Sequence, residues 1–129
     1  MKKKSLTGIN IQYPISQLIL CGEKTVETRT YPIPPKYLGQ EMLMIETPGK
    51  IGKFKSRSVA IIVFKKSFQY KNSKDFYKDK KSHGVDHDSP WAWSDKKPKW
   101  GWQIESIRQI KPKSVDKRLG IKFTLNISR

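Results

Sequence analysis

An uninterrupted apolar run at residues 58–64, Ser-Val-Ala-Ile-Ile-Val-Phe, constrains the fold of this chain most. β-branched residues pack well on a pleated sheet and are weaker helix formers, so the run predicts a strand. Residues 41–46 place their apolar residues consecutively, which predicts a central strand buried on both faces. Residues 8–13 and 121–127 alternate polar with apolar positions, as half-buried strands do. The chain is therefore expected to fold around a sheet.

Short helices and one further strand complete the predicted architecture. Residues 14–21 predict a short apolar helix, and Asn72 offers a cap for a second helix that ends before Gly84. Residues 100–110 predict a strand whose alternation shifts after Ile104, as at a β-bulge. About six mixed strands with two or three short helices predict an α+β domain built on a curled sheet.

Length and composition limit the class of protein. A chain of 129 residues is large enough for one core, so we expect a basic tail at residues 1–7 and a single domain at residues 8–129. No run of 18 apolar residues and no signal-peptide apolar region is present, so neither a membrane span nor secretion is expected. The single cysteine, Cys21, excludes an internal disulfide and fits the cytoplasm. At the end of an apolar helix, it is expected in the core.

Charge indicates the kind of partner. Lys and Arg number 27 against 11 for Asp and Glu, which gives a net charge of +16. Such an excess attracts polyanions, so RNA is the expected partner. Charge alone also admits an acidic protein or a membrane surface, and of these only the acidic protein is retained as an alternative. Seven lysines form either a solvated surface or a basic rail for RNA: Lys65, Lys66, Lys71, Lys74, Lys78, Lys80 and Lys81.

The segment with the most functional content is residues 22–29, Gly-Glu-Lys-Thr-Val-Glu-Thr-Arg. It lies where the first helix is expected to end and a strand to begin. Alternation along that strand places Thr25, Glu27, Arg29 and Tyr31 on one face. A carboxylate and a guanidinium two residues apart on one face suit an ion pair or a polar site rather than an apolar core.

The charged side chains of this segment admit three roles. For RNA binding, Lys24 and Arg29 contact phosphate or a base edge, and Glu27 accepts from an exocyclic amine. Thr25 and Tyr31 are further predicted RNA contacts. For hydrolysis, Glu27 is a general base held by Arg29, with Lys24 as electrophile or proton donor. The third role is structural, an ion pair of Glu27 with Arg29 that fixes the strand. Residue types alone do not separate the three.

The same segment resembles the G-x-K-x-x-E-x-R signature of the ASCH domain, part of the PUA-like superfamily, through Gly22, Lys24, Glu27 and Arg29. The order of predicted elements over residues 8–127 resembles that family as well. The resemblance implies a PUA-like pseudo-barrel and a functional cleft around the motif. Some members of the family are linked to RNA cleavage and others to RNA-associated roles, so it leaves open whether this chain is an enzyme.

Small bacterial members of the family that look like amidohydrolases acting on acetylated cytidine use a lysine, a threonine three residues later and a more distant glutamate. Lys24 matches that lysine, but Glu27 occupies the threonine position, and the nearby Thr25 and Thr28 do not fall on it. The nucleophile is missing, so that mechanism is not transferred. A hydrolase here, a ribonuclease or an enzyme on a modified nucleoside, would depend on Lys24, Glu27 and Arg29.

Two tryptophan pairs supply aromatic surface beside lysines. Trp91 and Trp93 stand two apart in a Ser/Pro/Asp-containing stretch, and Trp100 and Trp102 stand two apart in the later strand. Aromatic rings stack on bases while lysines contact phosphates, so the pattern is typical of single-stranded RNA binding. Trp102 is expected in the core, whereas Trp91, Trp93 and the loop residue Lys53 are predicted RNA contacts.

Residues 83–88 carry two histidines and two aspartates, which are potential ligands for a divalent metal. Gly84 argues against one helix presenting both histidines, so a polar surface loop is preferred, and neither a metal nor a cofactor is predicted.

Taken together, the charge, the motif and the tryptophans favour an RNA-binding module for single-stranded or modified RNA. Hydrolysis in the same cleft and binding to an acidic protein are the alternatives.

Overall fold

The computed structural model describes residues 5–115 and 123–128 of the chain. The strands are β1 (Ser5–Gln12), β2 (Val26–Arg29), β3 (Met42–Thr47), β4 (Arg57–Gln69), β5 (Trp100–Ser114) and β6 (Phe123–Ser128). The α-helices are α1 (Ile15–Leu20), α2 (Ser73–Lys78) and α3 (Lys80–His83), and a 3-10 helix spans Pro35–Tyr37.

The six described strands form one mixed sheet in the order β2-β5-β4-β3-β1-β6. β1 runs parallel to β3, and the other neighbouring pairs are antiparallel. The sheet curls into a half-barrel and carries three short α-helices, which confirms the predicted α+β pseudo-barrel.

The ends of the chain differ in detail from the expectation. β1 begins at Ser5, so residues 5–7 of the predicted tail belong to the sheet, while residues 1–4 lie outside the described part. The closing strand predicted at residues 121–127 is present as β6 from Phe123, and residues 121 and 122 lie outside the described part. β6 pairs with β1, which places β1 between two strands.

β3 is buried on both faces, as its consecutive apolar residues predict. Met42 and Met44 pack into the main core on one face, whereas Leu43 packs with Leu6 and Ile61 on the other. Side chains alternate across a strand, so a strand with apolar residues at every position needs apolar partners on both sides. This central strand therefore connects the two hydrophobic clusters of the sheet.

β4 and β5 form a long antiparallel ribbon. The register steps between Ile104 and Ser106, which leaves Glu105 as an extra residue, so the predicted shift after Ile104 is a β-bulge. Trp102 is fully buried, which confirms its predicted core position. Both strands run further than predicted because their polar ends continue the backbone ladder, whose hydrogen bonds do not require apolar side chains.

Two short helices replace the single helix expected between Asn72 and Gly84, and we call residues 72–85 the helical lobe. The Asn72 side chain accepts from the Asp75 N–H at 2.9 Å, which is the predicted cap. Asp79 lies between α2 and α3, and Gly84, with a φ of 70°, ends α3. Phe76 is fully buried in an aromatic cluster that joins the lobe to the end of β4.

The expectation that Cys21 lies in the core is wrong, because its side chain is exposed. α1 ends at Leu20 and buries Ser16 and Ile19. Successive helix residues are about 100° apart, so a residue two positions after Ile19 lies on the far side of the axis. No helix of the described residues is long and apolar enough to cross a membrane.

Candidate ligand-binding cavity

A cavity of about 600 Å³ lies between β1, the motif strand β2 and the segment that follows α3. This volume falls within the range of small-molecule sites in proteins. The side chains that matter most for its chemistry are Lys24, Glu27, Arg29, Tyr31, Trp91 and Lys99. Sequence separation between the first and the last of these shows that the fold, and not the motif alone, assembles the site.

Backbone pairing fixes the motif against β5 and the helical lobe. Glu27 lies opposite Trp102 in the β2–β5 register. The Lys24 N–H donates to Leu18 O at 3.0 Å, and the Thr25 N–H donates to Ser82 O at 2.8 Å. The turn after α1 is therefore tied to α1 on one side and to α3 on the other, which sets where Lys24 enters the cavity.

Arg29 holds the Glu27 carboxylate in place. Its Nε and Nη2 donate to Glu27 Oε2, at 3.1 and 3.0 Å, and Nη2 also donates to Asn10 O at 2.8 Å. Nη1 lies 3.3 Å from the Tyr31 hydroxyl, and the guanidinium lies over the Trp102 ring, 5.3 Å from its centroid. Burial alone would lower the pKa of Arg29, but Glu27 and Tyr31 raise it, so the guanidinium stays charged. The predicted Glu27–Arg29 contact is thus present and bridges β2 to β1.

Lys24 is almost completely buried, with 4% of its surface exposed. Its Nζ donates to His83 O at 2.6 Å and lies 3.7 Å from Glu27 Oε1. Burial lowers the pKa of Lys24, and Arg29 lowers it further, while Glu27 raises it in part. An ammonium in this position is either a hydrogen-bond donor to a ligand or a proton donor.

Lys99 is the cavity residue that sequence reasoning missed. Its Nζ donates to Trp91 O at 2.8 Å, and only 9% of its surface is exposed. Burial lowers the pKa of Lys99, and the positive charges of Lys24 and Lys97 lower it further. In the sequence it follows Lys96 and Lys97, and nothing in that run distinguishes the buried lysine from the exposed ones.

His83 is buried under the cavity in a defined neutral form. Its Nδ1 accepts from the Val85 N–H at 3.0 Å, so that nitrogen carries no proton, and Nε2 donates to Phe76 O at 2.6 Å. The ring stacks on Phe76 with centroids 4.0 Å apart. Burial lowers the pKa of His83, and Lys24 and Lys99 lower it further. Both ring nitrogens are occupied, which leaves no position for a metal.

The His/Asp-containing loop does not gather metal ligands in the structure. Its other histidine, His87, stacks on Tyr77 with centroids 3.7 Å apart, and Asp86 pairs with Lys80. Across residues 5–115 and 123–128, no group of three or more His, Cys, Asp or Glu side chains converges to hold a metal ion.

The structure separates the two tryptophans predicted to contact RNA. Trp91 lines the cavity and is 39% exposed, so one part of its ring faces solvent. Trp93 packs against Phe76 with centroids 5.8 Å apart, and its Nε1 donates to Asp95 at 2.7 Å. Trp91 is therefore placed to meet a ligand in the cavity, while Trp93 stabilises the helical lobe.

Other predicted contact residues divide in the same way. Tyr31 lines the cavity next to Arg29, as the alternation of β2 predicts. Thr25 is exposed beside α3, and Lys53 is exposed in the loop before β4; neither lines the cavity. Contacts with a longer ligand at the surface remain a prediction for these two residues.

The fold of this chain is found in solved ASCH structures. The ASCH protein from Zymomonas mobilis is similar to this chain with a TM-score of 0.71 at 13% identity, over 92% of this chain and 85% of that one. Two variants of that protein, a Tyr-to-Phe and a Ser-to-Ala substitution, give TM-scores of 0.69 at 13% identity, over 95% and 97% of this chain and 90% of theirs. No family model and no curated protein matches the sequence. The likeness shows that this chain has the ASCH fold, which confirms the fold implied by the motif.

Proposed function

We propose that this protein binds single-stranded RNA and accepts one unstacked nucleotide in the cavity. The observation that carries the proposal is the combination of a fixed carboxylate, buried ammonium groups and a partly exposed Trp91 around one space of about 600 Å³. Recognition of single-stranded RNA depends on splayed bases that stack on aromatic rings and use their edges for hydrogen bonds.

The hydrogen-bonding capacity of the cavity suits a base edge. Glu27 Oε2 is engaged by Arg29, and Oε1 lies on the side of Lys24. A carboxylate oxygen accepts from an exocyclic amine, and an ammonium donates to a ring nitrogen or carbonyl of the base. A cavity of this kind therefore discriminates among bases, modified ones included, by their edges.

Charge would supply most of the affinity. The net charge is +16, and all seven lysines of the basic rail are exposed, from the later part of β4 through the helical lobe. Contacts with phosphates release counterions, so binding to a single strand weakens with a slope of about −0.7 per contact on a log–log plot against salt. Duplex RNA hides its base edges and stacking faces, so it is expected to bind more weakly than a single strand.

Fluorescence anisotropy with labelled single-stranded and duplex RNA of one sequence, over a salt series, tests the proposal. Trp91→Ala removes the exposed ring and is expected to weaken single-strand binding by about 1–3 kcal/mol. Trp93→Ala is the matched control, because it removes the same ring from a position outside the cavity. Thermal unfolding of both variants shows that each is folded at the assay temperature. Affinity that is independent of salt, or equal losses in the two variants, would contradict the proposal.

A second candidate function, RNA hydrolysis in the same cavity, is favoured by the 3.7 Å approach of Lys24 Nζ to Glu27 Oε1. A carboxylate held by Arg29 is able to accept a proton from a ribose hydroxyl, while a buried ammonium stabilises the charge that develops on the phosphate. Glu27→Gln separates the two functions, because it removes the base and keeps the shape. Cleavage by the natural protein that persists in Glu27→Gln would exclude Glu27 as the base.

A further inference from the structure

The cavity contains more positive than negative charge. Its ionised lining residues are three cations, Lys24, Arg29 and Lys99, and one anion, Glu27. Arg29 directs two nitrogens at the Glu27 carboxylate and so compensates it. The two lysines remain as an excess of positive charge in the cavity.

The partners of the lysines do not compensate that excess. Lys99 Nζ donates to Trp91 O and Lys24 Nζ to His83 O, and both acceptors are neutral carbonyls. Lys24 Nζ also lies 3.7 Å from Glu27 Oε1, but that carboxylate is already engaged by Arg29. An ammonium has three N–H donors, so one carbonyl uses a third of its capacity. In the described part of the chain, no carboxylate pairs with Lys99. A buried charge without a counter-charge is costly, so an anion that enters the cavity relieves a cost already present in the free protein.

We propose that Lys24 and Lys99 form a subsite for the phosphate monoester of a nucleotide whose base stacks on Trp91. This inference rests on the proposed function and names the part of the nucleic acid that enters the cavity. A monoester carries nearly two negative charges at neutral pH, which matches two ammonium groups, whereas an internal phosphodiester carries one. The monoester belongs either to a free nucleoside monophosphate or to a phosphorylated end of an RNA chain.

The link between the two lysines and Trp91 supports this assignment. Trp91 O is the acceptor that holds Lys99, so the same residue places an ammonium and offers a partly exposed ring at the same cavity. A phosphate and a planar base are joined by one ribose in a nucleotide, and a cavity of about 600 Å³ has space for all three parts.

Binding of the monoester should also take up protons. Burial and mutual repulsion lower the pKa of both lysines in the free protein, and a bound dianion raises it again. At a pH between its pKa in the free protein and its pKa in the complex, each lysine gains a proton when the anion binds. The affinity for the anion therefore falls as pH rises through that range. Isothermal titration of the natural protein with a nucleoside monophosphate, in buffers of different ionisation enthalpy and above about pH 8, where the phosphate is already a dianion, measures proton uptake by the lysines without any variant.

The decisive experiment compares one RNA decamer with a 5′-phosphate, a 3′-phosphate or hydroxyls at both ends, together with a nucleoside monophosphate and its nucleoside. The natural protein is expected to prefer a phosphorylated end, or the monophosphate, by about 30-fold or more. Lys99→Met, which keeps the length of the buried stem, should abolish the preference. Lys113→Met removes the same charge from an exposed position on β5 and should retain it.

The outcomes separate this inference from the proposed function. RNA binding that ignores terminal phosphates overturns the subsite and leaves single-strand binding intact. Binding of the monophosphate that depends on Lys99, without binding of RNA, supports the subsite and identifies a free nucleotide as its ligand, while the proposed function fails. Equal affinity of the natural protein for the nucleoside monophosphate and for its nucleoside overturns the subsite even if Lys99→Met does not fold.

Discussion

Arg29 holds Glu27 through a single carboxylate oxygen. Nε and Nη2 lie 3.1 and 3.0 Å from Oε2, while Oε1 lies 3.7 Å from Lys24 Nζ. The carboxylate is therefore oriented by one cation and presents its second oxygen beside another. Glu27 and Arg29, two residues apart in the sequence, thus form a polar site in which the carboxylate has one defined orientation.

Arg29→Lys should destabilise the fold although it conserves the charge. A lysine has one nitrogen in place of the three that contact Glu27, Asn10 and Tyr31, so buried acceptors lose their donors. We expect the free energy of unfolding to fall by about 1–3 kcal/mol in urea titrations. Arg108→Lys is the control, because Arg108 is exposed and its contact with Glu41 is 3.7 Å long. A loss of similar size in both variants would show that the Arg29 contacts are not what stabilises β2.

Lys99→Met should make the protein more stable while it weakens ligand binding. Replacement of a buried, uncompensated charge by an apolar side chain of similar length often stabilises a protein, here by about 1 kcal/mol or more. Urea denaturation at neutral pH measures the difference, with Lys113→Met as the surface control that should change little. A decrease in the free energy of unfolding of Lys99→Met would instead identify Lys99 as a structural anchor of the 84–99 segment.

Stability should decline on acidification because of His83. The pKa of His83 in the folded protein lies below its ordinary value of 6.5, chiefly because the ring is buried, with Lys24 and Lys99 opposing its charge and Asp79 favouring it. When pH falls below about 6.5, the unfolded chain takes up the proton first, so stability present above that value is lost as pH falls through the folded pKa. Protonation of Nδ1 also removes the acceptor of the Val85 N–H.

Urea denaturation between pH 7.5 and 5 at constant ionic strength tests this pH dependence, and the range avoids the ordinary titration of carboxylates. His83→Asn keeps an acceptor near the position of Nδ1 and should flatten the decline. His87→Asn, in the same segment of the chain, should preserve it. An unchanged decline in His83→Asn would assign the effect to other groups.

Gly101→Ala should destabilise the centre of the sheet. An added Cβ would lie 2.6 and 2.9 Å from two atoms of the Phe68 ring and 3.0 Å from Val26 Cγ1. Overpacking of this kind typically costs about 1–3 kcal/mol in unfolding free energy. Ser106→Ala, at an exposed position of the same strand, is the control for thermal unfolding and should stay within about 0.5 kcal/mol. Equal melting temperatures would mean that Phe68 moves aside without cost.

Much of the sheet was predictable because its strands have a local signature. The apolar residues Met42 to Ile45 identify a strand buried on both faces, and the break in alternation after Ile104 identifies the bulge. Cys21 shows where local reasoning fails. Its neighbours are apolar, but the end of α1 at Leu20 places it outside the buried face, and that boundary depends on how the turn packs.

The site was predictable only where its residues are close in sequence. Lys24, Glu27 and Arg29 lie within six positions. Alternation along β2 accounts for the meeting of Glu27 and Arg29, whereas Lys24 precedes the strand and reaches Glu27 from the turn after α1. Lys99 reaches the same cavity through the path of the 84–99 segment, which has no periodicity to interpret. Trp91 and Trp93 have the same residue type and similar surroundings in sequence, and only the packing of Trp93 on Phe76 separates their roles.

Both cavity lysines are anchored by main-chain oxygens, those of His83 and Trp91. Every amino acid carries that oxygen, so a substitution at either position leaves the acceptor in place as long as the backbone path is kept. The anchoring of the ammonium groups thus depends on the backbone conformation and not on the residue types at these two positions. Two proteins with this fold could hold the same pair of charges over the same space while their aligned residues at these anchor points bear no relation to one another.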